Sequence, residues 1–268
     1  MSKISRKHFI NYSLSFVFSG FVRESIAKSA SDWFEAARFG DTWTMSNMLF
    51  DGFDINARND KGYAALHAAL IEPNLASVRW LARQNGVDLN VRNAVGETAL
   101  MQAIIHGHRD IAMVLLEAGA EVNQTGWTPL HYAAASKAET APDFVKLLLE
   151  SYSAYIDAES PNGTTPLMMA ARYGLTASVR VLLDGGADIS LQNKQGLTAL
   201  DFANASEHPD STKLVQAVFK QRADELAAAQ AKRNKLITPT TPIEPAKATA
   251  VGGSTKPLVF ETIPKGQW

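Results

Sequence analysis

One eight-residue pattern occurs five times in this chain, always opened by glycine. It reads Gly62-Tyr63-Ala64-Ala65-Leu66-His67-Ala68-Ala69, Gly96-Glu97-Thr98-Ala99-Leu100-Met101-Gln102-Ala103, Gly126-Trp127-Thr128-Pro129-Leu130-His131-Tyr132-Ala133, Gly163-Thr164-Thr165-Pro166-Leu167-Met168-Met169-Ala170 and Gly196-Leu197-Thr198-Ala199-Leu200-Asp201-Phe202-Ala203. Successive glycines stand 34, 30, 37 and 33 residues apart. A period of that size means stacked copies of one small unit, none of which buries an apolar face alone.

The rest of each period is helical in design. After Gly107-His108, the residues Ile111, Val114, Leu115 and Leu116 fall at helical spacing, and Gly119-Ala120-Glu121-Val122-Asn123 closes the run. Val179 to Asp184, then Gly185-Gly186-Ala187-Asp188-Ile189, repeats that plan. Apolar spacing of three and four residues followed by glycine predicts a helix and its C-cap. In the leading segment Thr is the N-cap residue, and Pro129 and Pro166 take the first helical position, where a missing N–H is no loss.

On these residues the chain resembles the ankyrin-repeat family. Thr128-Pro129-Leu130-His131-Tyr132-Ala133 carries the family's T-P-L-H-x-A signature without a mismatch. The resemblance implies an all-α solenoid of helix-turn-helix repeats joined by β-hairpin-like loops. It also implies that His67 and His131 bridge neighbouring repeats through the turn backbone. Trp33 to Asp41, Met48-Leu49-Phe50 and Asp54-Ile55-Asn56 resemble a degenerate first repeat. The stack is thus expected over residues 31–235, in about six repeats, with Ala227-Ala228-Ala229 prolonging the last helix. Two turns depart from the pattern: Glu72-Pro73-Asn74, and the longer 136–143 segment.

Composition narrows the chemistry. There is no cysteine, so disulfides and thiolate-held metals are excluded. Lys and Arg number 26 against 27 Asp and Glu, which supplies no basic footprint for a nucleic acid. His106-Gly107-His108 has no third ligand at metal spacing and falls on the family's Gly-His turn. Nucleophile-elbow and phosphate-loop patterns are missing. No cofactor, small-molecule substrate or catalysis is expected; a protein partner is.

Family resemblance places the partner contacts on the residues flanking each turn glycine and on the pair after the two alanines. Carried over, these are Lys61, Tyr63, Ile71 and Glu72; Val95, Glu97, Ile105 and His106; Thr125, Trp127, Ala135 and Ser136; Asn162, Thr164, Arg172 and Tyr173; and Lys194, Gln195 and Leu197. Tyr63, Trp127, Arg172 and Tyr173 are of the types that dominate interface energetics.

The ends differ from the middle. Residues 1–30 run from basic Lys3, Arg6 and Lys7 through an apolar stretch, Phe9 to Val22, to small residues around Ala27. That layout predicts a secretory signal peptide cleaved after Ala27 or Ser29, hence export to the periplasm or outside, and no membrane span once it is removed. Arg6-Lys7 also resembles a degenerate twin-arginine signal. Residues 236–268 hold five of the eleven prolines and are expected to be a disordered tail with one apolar island, Leu258 to Ile263.

Overall fold

A computed structural model describes residues 29–206 and 209–237. Twelve helices follow one another in six pairs, and no strand occurs among the described residues. The pairs are α1 (Ala30–Phe39) with α2 (Thr42–Phe50), α3 (Ala65–Ala68) with α4 (Leu75–Leu81), and α5 (Ala99–Ile105) with α6 (Arg109–Glu117). Then come α7 (Pro129–Ala135) with α8 (Ala141–Tyr152), α9 (Pro166–Arg172) with α10 (Thr176–Asp184), and α11 (Ala199–Asn204) with α12 (Pro209–Ile237).

The first helices α5, α7, α9 and α11 start where the threonine pattern places them. Thr98, Thr165 and Thr198 accept the N–H of Met101, Met168 and Asp201 through their hydroxyl oxygens, each at 3.3 Å. These bonds satisfy N–H groups that a helix start otherwise leaves without a partner. Where the usual glycine turn is missing, Asn74 caps α4 instead, accepting the Ser77 N–H at 3.0 Å.

Small side chains decide how the pairs stack. Ala37, Ala69, Ala103, Ala133, Ala134, Ala170, Ala171 and Ala203 are fully buried. First helices therefore approach first helices closely, α5 on α7, α7 on α9 and α9 on α11. The larger residues fill the layer of second helices, with Val78, Leu81, Leu115, Phe144, Leu148, Val179 and Leu182 inaccessible to solvent.

A ladder of side chains ties each repeat to the next at one edge of the stack. Asn56 Oδ1 accepts the Asp88 N–H at 2.8 Å and Asn56 Nδ2 donates to the Gly86 carbonyl at 2.8 Å. Asn90 accepts from Glu121 at 2.9 Å, and Asn123 from Tyr155 at 2.8 Å. Asp157 holds the equivalent rung to Asp188. Burial and the nearby Asp188 charge push the Asp157 carboxyl up, the bond from the Asp188 N–H opposing them.

The loop after α7 is packed, not free. Ser136 is buried, donates its hydroxyl to the Ile105 carbonyl at 2.9 Å and accepts the Ala138 N–H at 3.2 Å. Ala138 then sits over Gly107, where any Cβ would come within 2.8 Å of the alanine methyl. Gly107 also has φ +73°, a conformation that L-residues adopt only with strain.

The first compact unit ends at Arg222, and the described residues 223–237 belong to a second one. Val215, Val218 and Phe219 are the last buried apolar residues among the described ones. Residues 223–234 continue as helix with every side chain exposed, because the Ala-rich run favours helix without offering an apolar stripe to bury. The expected leader falls on residues 1–28, outside the described ones; Ser29 and Ala30 already belong to the start of α1. Ser29 is its N-cap, bonded reciprocally with Asp32. The expected tail likewise lies outside the described residues from 238 onward.

Candidate protein-binding face

Between successive helix pairs the chain turns through a finger whose shape is set by an Asx turn. Asn59 Oδ1 accepts the N–H of Lys61 at 2.9 Å and of Tyr63 at 3.0 Å, while Asn93 and Asn193 do the same for their fingers. Neighbouring fingers are linked by backbone, Ala94 N–H to the Lys61 carbonyl at 3.2 Å and Lys194 N–H to the Asn162 carbonyl at 3.0 Å. Glycine is required at the tip of such a link. At Gly62 the φ is +70° and a Cβ would meet the Ala94 nitrogen at 3.0 Å.

The third finger is shortened and has no such asparagine. Arg92 spans the gap instead. Its guanidinium donates to the Gly96 carbonyl at 2.8 Å, to Gln124 Oε1 at 2.6 Å and to the Thr125 carbonyl at 3.2 Å.

Two histidines lock fingers to helices. His131 is fully buried; its Nδ1 accepts the Thr128 N–H at 3.2 Å, and its Nε2 donates to the Thr164 carbonyl of the next finger at 2.9 Å. His67 repeats this with Ala64 at 3.2 Å and the Glu97 carbonyl at 3.0 Å. Both bridge neighbouring repeats as the family resemblance implies. Burial pulls His131 down to about 4 and lowers His67 too, so each ring is neutral near pH 7. In α5 and α9, Met101 and Met168 replace histidine and place sulfur at 3.5 and 3.4 Å from the N-cap N–H.

On this framework the sequence-expected residues separate into groups. Trp127 and Tyr173 meet in one slot of about 200 Å³, lined also by Ile105, Tyr132, Ala135 and Met169. Tyr63 and His106 share a larger trough of about 440 Å³ with Pro73 and Gln102. Tyr63 stacks on His67 at 5.5 Å, and Trp127 meets His131 edge-on at 5.2 Å. Both aromatics are half-buried: one part of each ring packs on its own repeat and the remainder faces the groove. Lys61, Asn162, Arg172 and Lys194 are exposed, and Tyr173 and Leu197 keep 37% and 39% of their surface.

Several expected contact residues are already engaged, among them Asn162, which accepts from the Ser160 hydroxyl at 2.5 Å. Glu72 is ion-paired with Arg38. Glu97 accepts from Asn93 and Gln102, each at 3.1 Å, and interacts with the Tyr132 hydroxyl. Burial first, then Glu97, pushes that phenol up to about 12. Lys194 donates to the Pro161 carbonyl at 2.7 Å.

Thr164 requires a correction. It is buried, 2% exposed, with its N–H held by Ser160 and its carbonyl by His131, so its side chain is not offered to a partner. A threonine is too short to emerge where Tyr63 and Trp127 do, and Ser136, also expected at the contact, is 1% exposed and turned inward onto the Ile105 carbonyl.

Tyr132 and Met169, in contrast, line the slot and were not among the expected contacts. Both occupy the variable position of the T-P-L-H-x-A signature. The signal was available, since Tyr132 to Ala135 and Met169 to Tyr173 are three and four residues apart on one helix face. Among the described residues no cluster of three or more His, Asp or Glu is placed to hold a metal. His106 and His108 face each other at 6.0 Å between ring centres, and burial followed by His106 lowers His108.

Comparison with known proteins agrees with this architecture. A family model described as ankyrin repeats (3 copies) matches residues 33–125, 72–160 and 135–224. A chain from the structure of a predatory endopeptidase of Bdellovibrio bacteriovorus in complex with an immunity protein is 34% identical, with a TM-score of 0.57, over 71% of this chain and 99% of that one. The crystal structure of an ankyrin repeat protein matches at 25% identity and TM-score 0.58, over 72% and 98% of the two chains. Among curated proteins, neurogenic locus notch homolog protein 1 of Xenopus tropicalis is 33% identical over 109 residues, and notch homolog protein 2 of Homo sapiens 34% identical over 113. Those stretches are 40% and 41% of this chain but span only 4% of either notch protein.

Proposed function

Because this chain belongs to the ankyrin-repeat family, we propose that it is a non-catalytic scaffold or adaptor that docks a partner protein on the face made by its first helices and fingers. Ankyrin repeats mediate protein–protein interaction, and this face has the features such docking uses. The observation that carries the reading is the Trp127–Tyr173 slot, aromatic, open to solvent and walled by residues held in place by buried backbone bonds. No nucleic acid, cofactor or small-molecule substrate enters this reading.

A Trp127→Ala, Tyr173→Ala double variant of the full chain tests it, alongside Arg180→Ala on an exposed part of α10 as control. With folding verified by circular dichroism, the double variant is expected to lose at least tenfold in affinity for a partner captured by the wild type, and the control none. Equal retention by all three would place docking elsewhere.

A second reading, in which the chain blocks its target, is favoured by the similarity to a chain from an endopeptidase–immunity protein complex. The two readings diverge when the chain is titrated into an activity assay of the captured partner. Undiminished activity at saturation supports an adaptor; inhibition with the stoichiometry of binding supports a blocker.

Export through the N-terminal leader completes the proposal. Of the two candidate cleavage sites, the one after Ser29 would remove the N-cap of α1, a loss of about 1 kcal/mol. Cleavage after Ala27 leaves the cap intact. The secreted form is therefore expected to begin at Lys28 by intact mass, and a chain that still carries Met1 would exclude this export route.

A further inference from the structure

The slot is specific enough in chemistry to say what enters it. Its volume of about 200 Å³ lies below the roughly 300–1,000 Å³ of small-molecule sites, which suits one side chain of a larger partner. Its walls are aliphatic and aromatic apart from His131, whose two ring nitrogens are both bonded within the fold, so the side chain that fits is apolar.

The helices that build the slot carry formal charge of one sign only. The slot is built by α5, α7 and α9, and the only formally charged residue on those three helices is Arg172. Arg172 is exposed and lies three residues beyond Met169, hence one turn further along the same face. The third finger, Gln124 to Thr128, carries no charge. The carboxylate nearest in the hydrogen-bond network, Glu97, is committed to Asn93, Gln102 and the Tyr132 hydroxyl. An exposed arginine at the end of α9, between the lining residues Met169 and Tyr173, is complementary to an acidic group beside an apolar one.

The walls are also set before binding. His131 fixes Trp127 from one side and is itself held by Thr128 and Thr164, while Glu97 holds Tyr132. Rigid aromatic walls lose little entropy on binding, the condition under which a short segment can bind measurably.

From this juxtaposition we infer that the slot between Trp127 and Tyr173 takes a large apolar side chain of a partner's linear segment, with an Asp or Glu next to it paired to Arg172. This rests on the docking face proposed above and names the class of partner that the face selects.

The test is panning of a random dodecapeptide display library on the full chain, on an Arg172→Glu variant and on a Tyr173→Ala variant. The wild type is expected to enrich peptides with Leu, Ile, Met or Phe within two residues of Asp or Glu. A fluorescein-labelled synthetic copy of one such peptide should bind at least tenfold more weakly when its apolar residue becomes Ala or its acid becomes Lys. Arg172→Glu should weaken the acidic peptide at least tenfold and restore binding of the Lys version. Enrichment of peptides without an acid, no enrichment at all, or equal binding by wild type and Arg172→Glu overturns the inference. A captured protein that the Trp127, Tyr173 double variant loses while no peptide is enriched removes this inference and leaves the docking face standing. A protein captured equally by wild type and double variant removes both.

Discussion

Lowering the pH from 6.5 to about 4 is expected to cost this protein about 3 kcal/mol of unfolding free energy through His131 alone. The sign follows from burial. In the unfolded chain the imidazole takes a proton near pH 6.5, whereas in the fold it resists until about 4, because burial penalises the cation and the Thr128 N–H occupies Nδ1. The contribution is therefore fully present above pH 6.5, falls as the unfolded state gains its proton, and levels off below about 4. The span between the two values corresponds to roughly 3 kcal/mol at 1.36 kcal/mol per unit. His67, lowered for the same first reason, adds in the same direction. Asp157, whose carboxyl is pushed up, acts the other way, since its protonation in acid relieves a buried charge. Urea unfolding of wild type and His131→Gln between pH 4 and 8 separates these contributions. Gln still carries a donor and an acceptor but does not titrate, so the variant should show a much shallower loss in acid. At pH 7.5 it should be about 1–2 kcal/mol less stable from poorer hydrogen bonds. An unchanged acid slope in His131→Gln would mean that other groups carry the pH dependence.

That histidine also marks how much could be read from residues alone. The repeat period, the glycine tips and the threonine caps are visible in the chain, whereas the two His bridges followed from the family resemblance. The binding face was legible only in outline, because which side chains emerge depends on size and on neighbours thirty-odd residues away. Tyr63 and Trp127 reach the groove from the position where Thr164 is buried. Arg92 was invisible as a linker, since its role exists only because the third finger is short and lacks the asparagine or serine that shapes the others. Lys194 and Glu72 look free in sequence, yet each is held by a partner 33 or 34 residues distant. At the last helix the two signals separate. Helix propensity carries α12 past Arg222, but burial, which defines the packed unit, stops at Phe219.

The capping repeat gives the other large effect. Trp33 is wholly inaccessible and packs 5.2 Å, centre to centre, from the Phe53 ring. Truncating a buried tryptophan to alanine costs about 3–5 kcal/mol, so Trp33→Ala is expected to lower stability by that amount at its own repeat. In a stack each repeat is stabilised by its neighbours, and an end repeat has only one. The loss should therefore appear as selective opening of α1 and α2, read as faster amide hydrogen exchange over residues 30–50 with protection retained from α5 to α10. Trp33→Phe provides the control for volume against polarity. The indole Nε1 is buried without a hydrogen-bond partner among the described residues, and phenylalanine removes that donor while keeping most of the apolar contact. It should cost less than about 1.5 kcal/mol. The Trp127–Tyr173 slot draws on α5, α7 and α9 and on nothing from the first pair, so peptide binding should survive Trp33→Ala at temperatures where the cap has already opened. Simultaneous loss of protection across every helix would instead mean that the stack unfolds as one unit, with the cap governing the binding face as well.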